Sequence, residues 1–432
     1  RRAPAVAVTR HVIADNRASH SARTLISSFA RPQISYRVQL NHTGTRQRLQ
    51  FIRKDHPGET GIVYCRSRKR VEEIAAGLNR EGINAVAYHA GLPSAERMAG
   101  QQRFAREEAL VVVATIAFGL GIDRPDVRFV AHFDVPMSME AYYQETGRAG
   151  RDGEAAEAWM LYSLGDVIAA RQMLMRSEGN DTFKFVQQRK LDALLGYCET
   201  TACRRQVLLR YFGEEREESC GNCGTCKDGG SSAWDGTVAA QKALSAVFRT
   251  GQRFGAQYLI NVLLGKEDER MRRFGHHRIK TFGVGQELSA KQWRSVLRQL
   301  IALGFLTVEM DRRAGFVLTE KSRPVLRGET VVYLREDPAP KRRPHKRQTV
   351  EIADIPAAGL WEQLRALRRD IALSLEVPAY VIFHDKTLKE MAFERPVTRE
   401  ALLRITGVGE KKADRYGDQF LETIQQWECQ AD

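Results

Sequence analysis

Between about residues 60 and 165, short apolar runs alternate with amphipathic stretches in a regular way. GIVYC reads as a strand and RSRKRVEEIAAGLNREG as a helix whose apolar positions recur along one face. NAVAYHAG is then a strand, SAERMAGQQRFAREE a helix and ALVVVAT a strand without polar alternation. VRFVAHFD, SMEAYYQETGRAG and EAWMLYS continue as strand, helix and strand. Strands of continuous apolar character separated by helices predict an α/β fold, a parallel sheet covered on both faces. In such sheets ligands bind beyond the carboxyl ends of the strands, where VVVATIAFGLGID and YHAG fall.

The pattern then changes. Residues 166–232 read as helical and end in four cysteines and a GGSS turn. Residues 233–335 read as helices followed by a hairpin. Within KQWRSVLRQLIALGFL, Trp293, Val296, Leu297, Leu300 and Ile301 recur at helical spacing and form a buried face. LTVEM and GFVLTE flank the turn residues 311–314, so this segment predicts a winged helix with a short wing. PAPKRRPHKR (338–347) is a basic, proline-rich linker within 336–355. Leu360, Leu364, Leu367 and Ile371 open a small all-helical domain at 356–432. Residues 1–24 show no period of either kind and stay unassigned, which leaves 25–165 for the α/β domain. The first residue is Arg1 and not methionine, so the chain is expected to begin inside a longer protein.

Charge sharpens this picture. The formal net charge is +14, which favours a polyanionic partner, nucleic acid before membrane. Residues 233–335 hold 18 Lys and Arg against 9 Asp and Glu, whereas 356–432 hold 11 against 13. The longest apolar run, 109–122, is too short and too glycine-broken for a bilayer, and no signal-type block opens the chain. A cytoplasmic, nucleoid-associated protein is expected.

Three groups of residues carry candidate chemistry. In QETGRAGRDG, Gln144 and Arg148 share a helix face, Arg151 follows, and glycines let the backbone approach a ligand. Two guanidiniums so presented suit the oxygens of a γ-phosphate. Spacing alone serves a surface arginine cluster equally well. Cys203-x16-Cys220-x2-Cys223-x2-Cys226 has the donors for a tetrahedral Zn²⁺ site. An iron–sulfur cluster or unligated thiols meet the same spacing. Cys65, in an apolar strand, reads as a core thiol. In the basic segment, Arg270, Arg272, Arg273, Arg278 and Lys280 run around Phe274. Lys291, Arg294 and Arg298 lie on the polar side of the Trp293 helix, and Arg312 and Arg313 at the wing tip. Such residues neutralise phosphates without reading bases.

QETGRAGRDG, VVVATIAFGLGIDRPDVRFVAHFDVP and GIVYCRSR resemble motifs VI, V and IV of the RecQ family of DNA helicases. The likeness runs in family order from about residue 25 to 432. It implies Arg151 as an arginine finger, Arg148 as its companion and Gln144 as the motif VI glutamine. It also implies Thr115, with Gly119, Gly121 and Asp123, as the loop linking nucleotide state to the DNA strand. His89 and Gly91 fall in a further strand-contacting segment. The cysteines become a zinc site, 233–335 a duplex-gripping winged helix, and 356–432 an HRDC domain. There, Gly407 and Gly409 precede a helix whose free amides suit a phosphate, with Lys411 and Lys412 adjacent. Protein contact or weak single-strand binding fits that acidic module nearly as well.

The resemblance further implies 3′→5′ unwinding of forked or duplex DNA in recombination and repair, with single-stranded DNA and single-strand-binding protein as partners. One departure is large. No G-x-x-x-x-G-K-[ST] and no D-E-x-H or D-E-x-D occurs among the 432 residues. ATP and Mg²⁺ would therefore need a first RecA-like lobe from elsewhere, and this chain alone is expected to be without ATPase activity. Two other readings are a non-catalytic DNA-binding module and a winged-helix regulator. The regulator leaves the motif V and VI loops unexplained.

Overall fold

Strands β2 (Gly61–Tyr64), β4 (Val111–Ala114) and β5 (Phe129–His132) are buried at every residue, as unbroken apolar runs require. The computed structural model describes residues 28–116, 118, 124–228, 232–309, 315–337 and 358–431. Before β2 comes β1 (Ile34–Leu40). Between β2 and β5 lie helix α1 (Arg68–Arg80), β3 (Ala85–Tyr88) and helix α2 (Ser94–Arg106). Helix α3 (Met139–Thr146) and strand β6 (Ala156–Tyr162) follow. The six strands form one sheet in the order β1-β6-β5-β2-β4-β3. β2 pairs in parallel with both β4 and β5, and β3 with β4. Ser67 starts α1 by accepting the Arg70 N–H, satisfying an amide that the helix leaves unpaired.

Helices α4 (Leu164–Arg176), α5 (Asp181–Glu199) and α6 (Arg204–Tyr211) make up the helical module. Ser163 and Asn180 cap the first two. The winged segment has strand β7 (Ala233–Asp235) and helices α7 (Thr237–Arg249), α8 (Ala256–Leu264) and α9 (Ala290–Ala302). Its wing pairs β8 (Leu306–Glu309) antiparallel with β9 (Gly315–Leu318), and β10 (Tyr333–Arg335) returns to pair with β7. Ser289 and Gln292 close a capping box at the start of α9. The last module packs α10 (Ala358–Ser374), α11 (Asp385–Glu394) and α12 (Asp418–Ala431) around Leu360, Leu364, Phe383, Met391 and Phe420.

The described residues fall into two compact units. One draws on the described residues up to Asn41, on Asp134–Gln144 and on those from Met160 to 337, the other on those of His42–Phe133, on Glu145–Trp159 and on those from 358 onward. Residues 1–24, Gly119, Gly121, Asp123, Arg312, Arg313 and the 338–347 linker lie outside the described residues. Among the described residues, no helix is long and apolar enough to cross a membrane.

Candidate functional site

Register decides what the sheet presents at its carboxyl edge. Tyr64 stands opposite Ala114 and His132, and Tyr88 opposite Ala114. The residues that follow, Thr115 and His89, therefore leave the sheet at one level. Backbone bonds hold that level: Cys65 N–H donates to Ala114 O (2.8 Å) and Thr115 N–H to Tyr88 O (3.2 Å). Thr115 is half-buried, and Ile116 beside it is 82% exposed.

The arginine loop joins this edge. After α3, Gly150 (φ 62°) and Gly153 (φ 82°) take backbone conformations that side chains disfavour. Gly150 N–H donates to Val127 O (2.9 Å), and Arg128 pairs with Asp152, which ties the loop to the root of β5. Arg148 and Arg151 both lie close enough to the Tyr64 hydroxyl, at the end of β2, to act on it electrostatically. Helix α3 ends at Thr146, so Arg148 lies beyond it and does not share a helix face with Gln144; Gln144 and Arg151 are both exposed. Below them, His132 Nε2 meets Glu145 Oε2 at 2.7 Å, both groups buried.

His89 corrects the sequence reading. It was expected at the DNA strand, but it is 3% exposed and its Nε2 lies 2.9 Å from Glu72 Oε1 on α1. The side chain is committed inward.

The four cysteine sulfurs all lie within 4.8 Å of one another. Cys223 Sγ is 3.4 Å from Cys226 Sγ and 3.9 Å from Cys203 Sγ, and Cys220 and Cys226 are 4.0 Å apart. Zinc–sulfur bonds of about 2.3 Å in a tetrahedron place sulfurs roughly 3.8 Å apart, so one ion fits. A multi-iron cluster holds its thiolates on different irons and spreads them further. Two backbone amides already point at sulfur: Cys220 N–H to Cys203 Sγ (3.3 Å) and Arg204 N–H to Cys223 Sγ (3.4 Å). The Cys223 thiol is drawn well below its ordinary value, first by the hydrogen bond from Cys220 and then by Thr225 and backbone amides. Cys220, giving that bond, is raised. The knuckle is fastened to β1: Ser35 Oγ donates to Asn222 O (2.6 Å), and Arg205 donates to the carbonyls of Pro32 and Ile34.

Of the basic residues singled out in the winged segment, Arg270, Arg272, Arg273, Arg278, Lys280, Lys291 and Arg294 are exposed. Arg272 pairs with Glu267 (2.8 Å) and Arg294 with Gln257 (2.9 Å). Arg298 is the second correction. It is 5% exposed and pairs with Glu199 on α5 and with Asp337 (2.7 Å). Arg335 joins the same Glu199 at 2.9 Å. Helix α9 packs on α8 along one side and on α4 and α5 along another, so Ser295, Arg298 and Gln299 are buried with the apolar face. Only its first turn offers charge outward. In the last module Lys411 is exposed, whereas Lys412 is half-buried with its ammonium 5.6 Å from the Phe383 ring, and burial lowers its pKa.

Four family models match in succession: Helicase conserved C-terminal domain at 45–153, RecQ zinc-binding at 164–227, RQC domain at 230–343 and HRDC domain at 357–424. ATP-dependent DNA helicase RecQ of Haemophilus influenzae is 41% identical over 93% of this chain and 65% of its own length. The protein of the same name from Pasteurella multocida is 40% identical over 94% and 64%, and that from Bacillus subtilis 35% over 93% and 66%. The chain belongs to the RecQ family, and it spans about two thirds of the length of these relatives.

Proposed function

We propose that this chain supplies the second RecA-like lobe and the DNA-gripping modules of a 3′→5′ DNA helicase that couples ATP hydrolysis to duplex unwinding in recombination and repair. Arg148 beside Tyr64 at the carboxyl edge of the sheet, with Arg151 following, is the observation that carries it. A phosphoryl group held by a first lobe against this edge would meet two guanidiniums, which spread charge over its equatorial oxygens. ATP and Mg²⁺ would be bound by that first lobe. Thr115 meets the DNA strand from the same edge, and Arg272, Arg273, Arg278, Arg294 and Lys411 meet phosphates elsewhere. The RQC and HRDC domains make DNA the implied partner. Cys203, Cys220, Cys223 and Cys226 hold one structural Zn²⁺.

The test is an ATPase assay of the 432-residue chain, with and without single-stranded DNA, alone and joined to a relative's first lobe. The chain alone is expected to show no DNA-stimulated turnover. In the joined protein, Arg151→Ala should lower turnover by about 10³–10⁵, the range for losing an arginine finger. Robust turnover by the chain alone, abolished by Arg151→Ala, would sink the assignment of the ATP site to two lobes.

A further inference from the structure

Two acidic residues of the α/β lobe face the last module, which belongs to the same compact unit. Glu108 stands between α2 and β4, and Glu154 between the arginine loop and β6. Each oxygen of the Glu108 carboxylate takes a different arginine of α10. Oε1 accepts from Arg368 Nη2 at 2.7 Å and Oε2 from Arg365 Nη2 at 3.3 Å. Glu154 Oε2 lies 4.0 Å from Lys389 Nζ on α11. Two carboxylates of the lobe thus meet three cations of the module.

The three cations differ in what else holds them. Arg368 is buried and bound inside its own module, to the Asp385 carboxylate (2.7 Å) and the Phe383 carbonyl (2.9 Å). It belongs to that module's core. Among the described residues, neither Arg365 nor Lys389 forms an ion pair with a carboxylate of its own module. Both lie against the Trp361 ring, 5.7 and 5.8 Å from its centre. The Trp361 indole N–H is buried and has no acceptor among the described residues. Guanidinium and ammonium groups take phosphate oxygens as readily as carboxylate oxygens. Ion pairs that water reaches are weak and screened by salt, so a competing polyanion can exchange for the lobe's carboxylates.

We propose that Glu108 and Glu154 stand in for phosphates. They cover a phosphate-binding face of the last module, made by Arg365 and Lys389 around Trp361, and single-stranded DNA takes that face by displacing the lobe. This rests on the reading of DNA as the chain's partner.

The full chain serves for the test. In the parent, zero-length carbodiimide coupling should join Lys389 to Glu154 within one chain, and saturating oligothymidine should suppress that product. Glu108→Gln with Glu154→Gln keeps size and hydrogen bonding and removes both charges. This pair should tighten oligothymidine binding roughly three- to tenfold. It should also steepen the fall of log K with log salt by about 0.7 for each of the two cations released. Adding Arg365→Ala and Lys389→Ala should cancel both gains. Glu73→Gln with Glu81→Gln makes the same charge change at residues paired with Lys69 and Arg53, and it should give neither gain. Thermal midpoints of all variants should stay within a few degrees of the parent. No crosslink in the parent, or one that oligothymidine leaves intact, would overturn the proposal. So would gains matched by the Glu73 and Glu81 pair, or gains that survive the loss of Arg365 and Lys389. DNA as the partner fails separately, if neither parent nor variant binds oligothymidine at all.

Discussion

Arg294 and Arg298 stand one turn apart on α9 and look alike in the sequence, yet one is exposed and the other sits among Glu199, Arg335 and Asp337. Removing one partner of a buried ion group strands the rest, which typically costs about 3–5 kcal/mol. Arg298→Ala should lower urea-unfolding stability by that order, and Arg294→Ala by no more than about 0.5 kcal/mol. Equal stability of the two variants would contradict the burial. Acid should act on the same group. Burial alone would raise Asp337, but Arg298 draws its pKa below the ordinary value. A depressed folded-state pKa contributes stability above the unfolded value of about 3.9 and loses it as pH falls through the folded one. Asp337→Asn should therefore remove part of the parent's stability at pH 6 while losing less on further acidification. An identical acid slope in both proteins would rule this out. The sequence could not place Arg298, because its partners lie 99 and 39 residues away.

At the scale of elements, legibility followed locality. The strands at β2, β4 and β5 were readable because each is a short apolar run bounded by polar helices. The ligand set of the knuckle was readable because three of its four cysteines sit within seven residues. Strand β1 was not: ISYRVQL buries Ile34, Tyr36 and Leu40 and leaves the residues between them half-buried, too weak an alternation beside the stronger core strands. With β1 in place, the knuckle does more than hold metal, since it fastens Ser35 and the Pro32 and Ile34 carbonyls. Metal binding at such sites is coupled to folding, and it weakens as thiolates are protonated. Cys223→Ser should abolish the single Zn²⁺ measured by elemental analysis and raise protease cleavage around 28–40 as well as 200–228. A chelator at mildly acidic pH should do the same to the parent. A metal-free preparation with unchanged cleavage, or iron with sulfide, would overturn the zinc assignment.

For the molecule as a whole, the distribution of charge predicts where DNA affinity resides. Residues 233–335 carry a net +9 (18 minus 9), and the module from 356 onward a net −2 (11 minus 13). The fold narrows this excess, because Arg298 and Arg335 are spent on Glu199 and Asp337, and Arg270 lies 5.3 Å over the Phe254 and Tyr258 rings. Outward from the basic run and the start of α9 remain Arg272, Arg273, Arg278, Lys280, Lys291 and Arg294, with Arg249, Arg253, Lys266, Lys321, Arg323 and Arg327 exposed elsewhere in the segment. Each phosphate neutralised releases condensed counterions, so log K for duplex should fall with log salt at a slope of roughly −0.9 per contact. Arg272→Ala with Arg273→Ala should flatten that slope by nearly two such steps and weaken all duplex sequences alike. Arg294→Ala should flatten it by one. Arg298→Ala should change it only as far as it unfolds the segment, since that guanidinium never faces a phosphate. Deleting the chain beyond the 338–347 linker should move the duplex slope far less than the paired substitution. A salt titration of the full chain, these variants and the deletion decides the matter. A slope carried mostly by the last module, or strong discrimination between duplex sequences, would mean that the exposed arginines around α9 are not the grip.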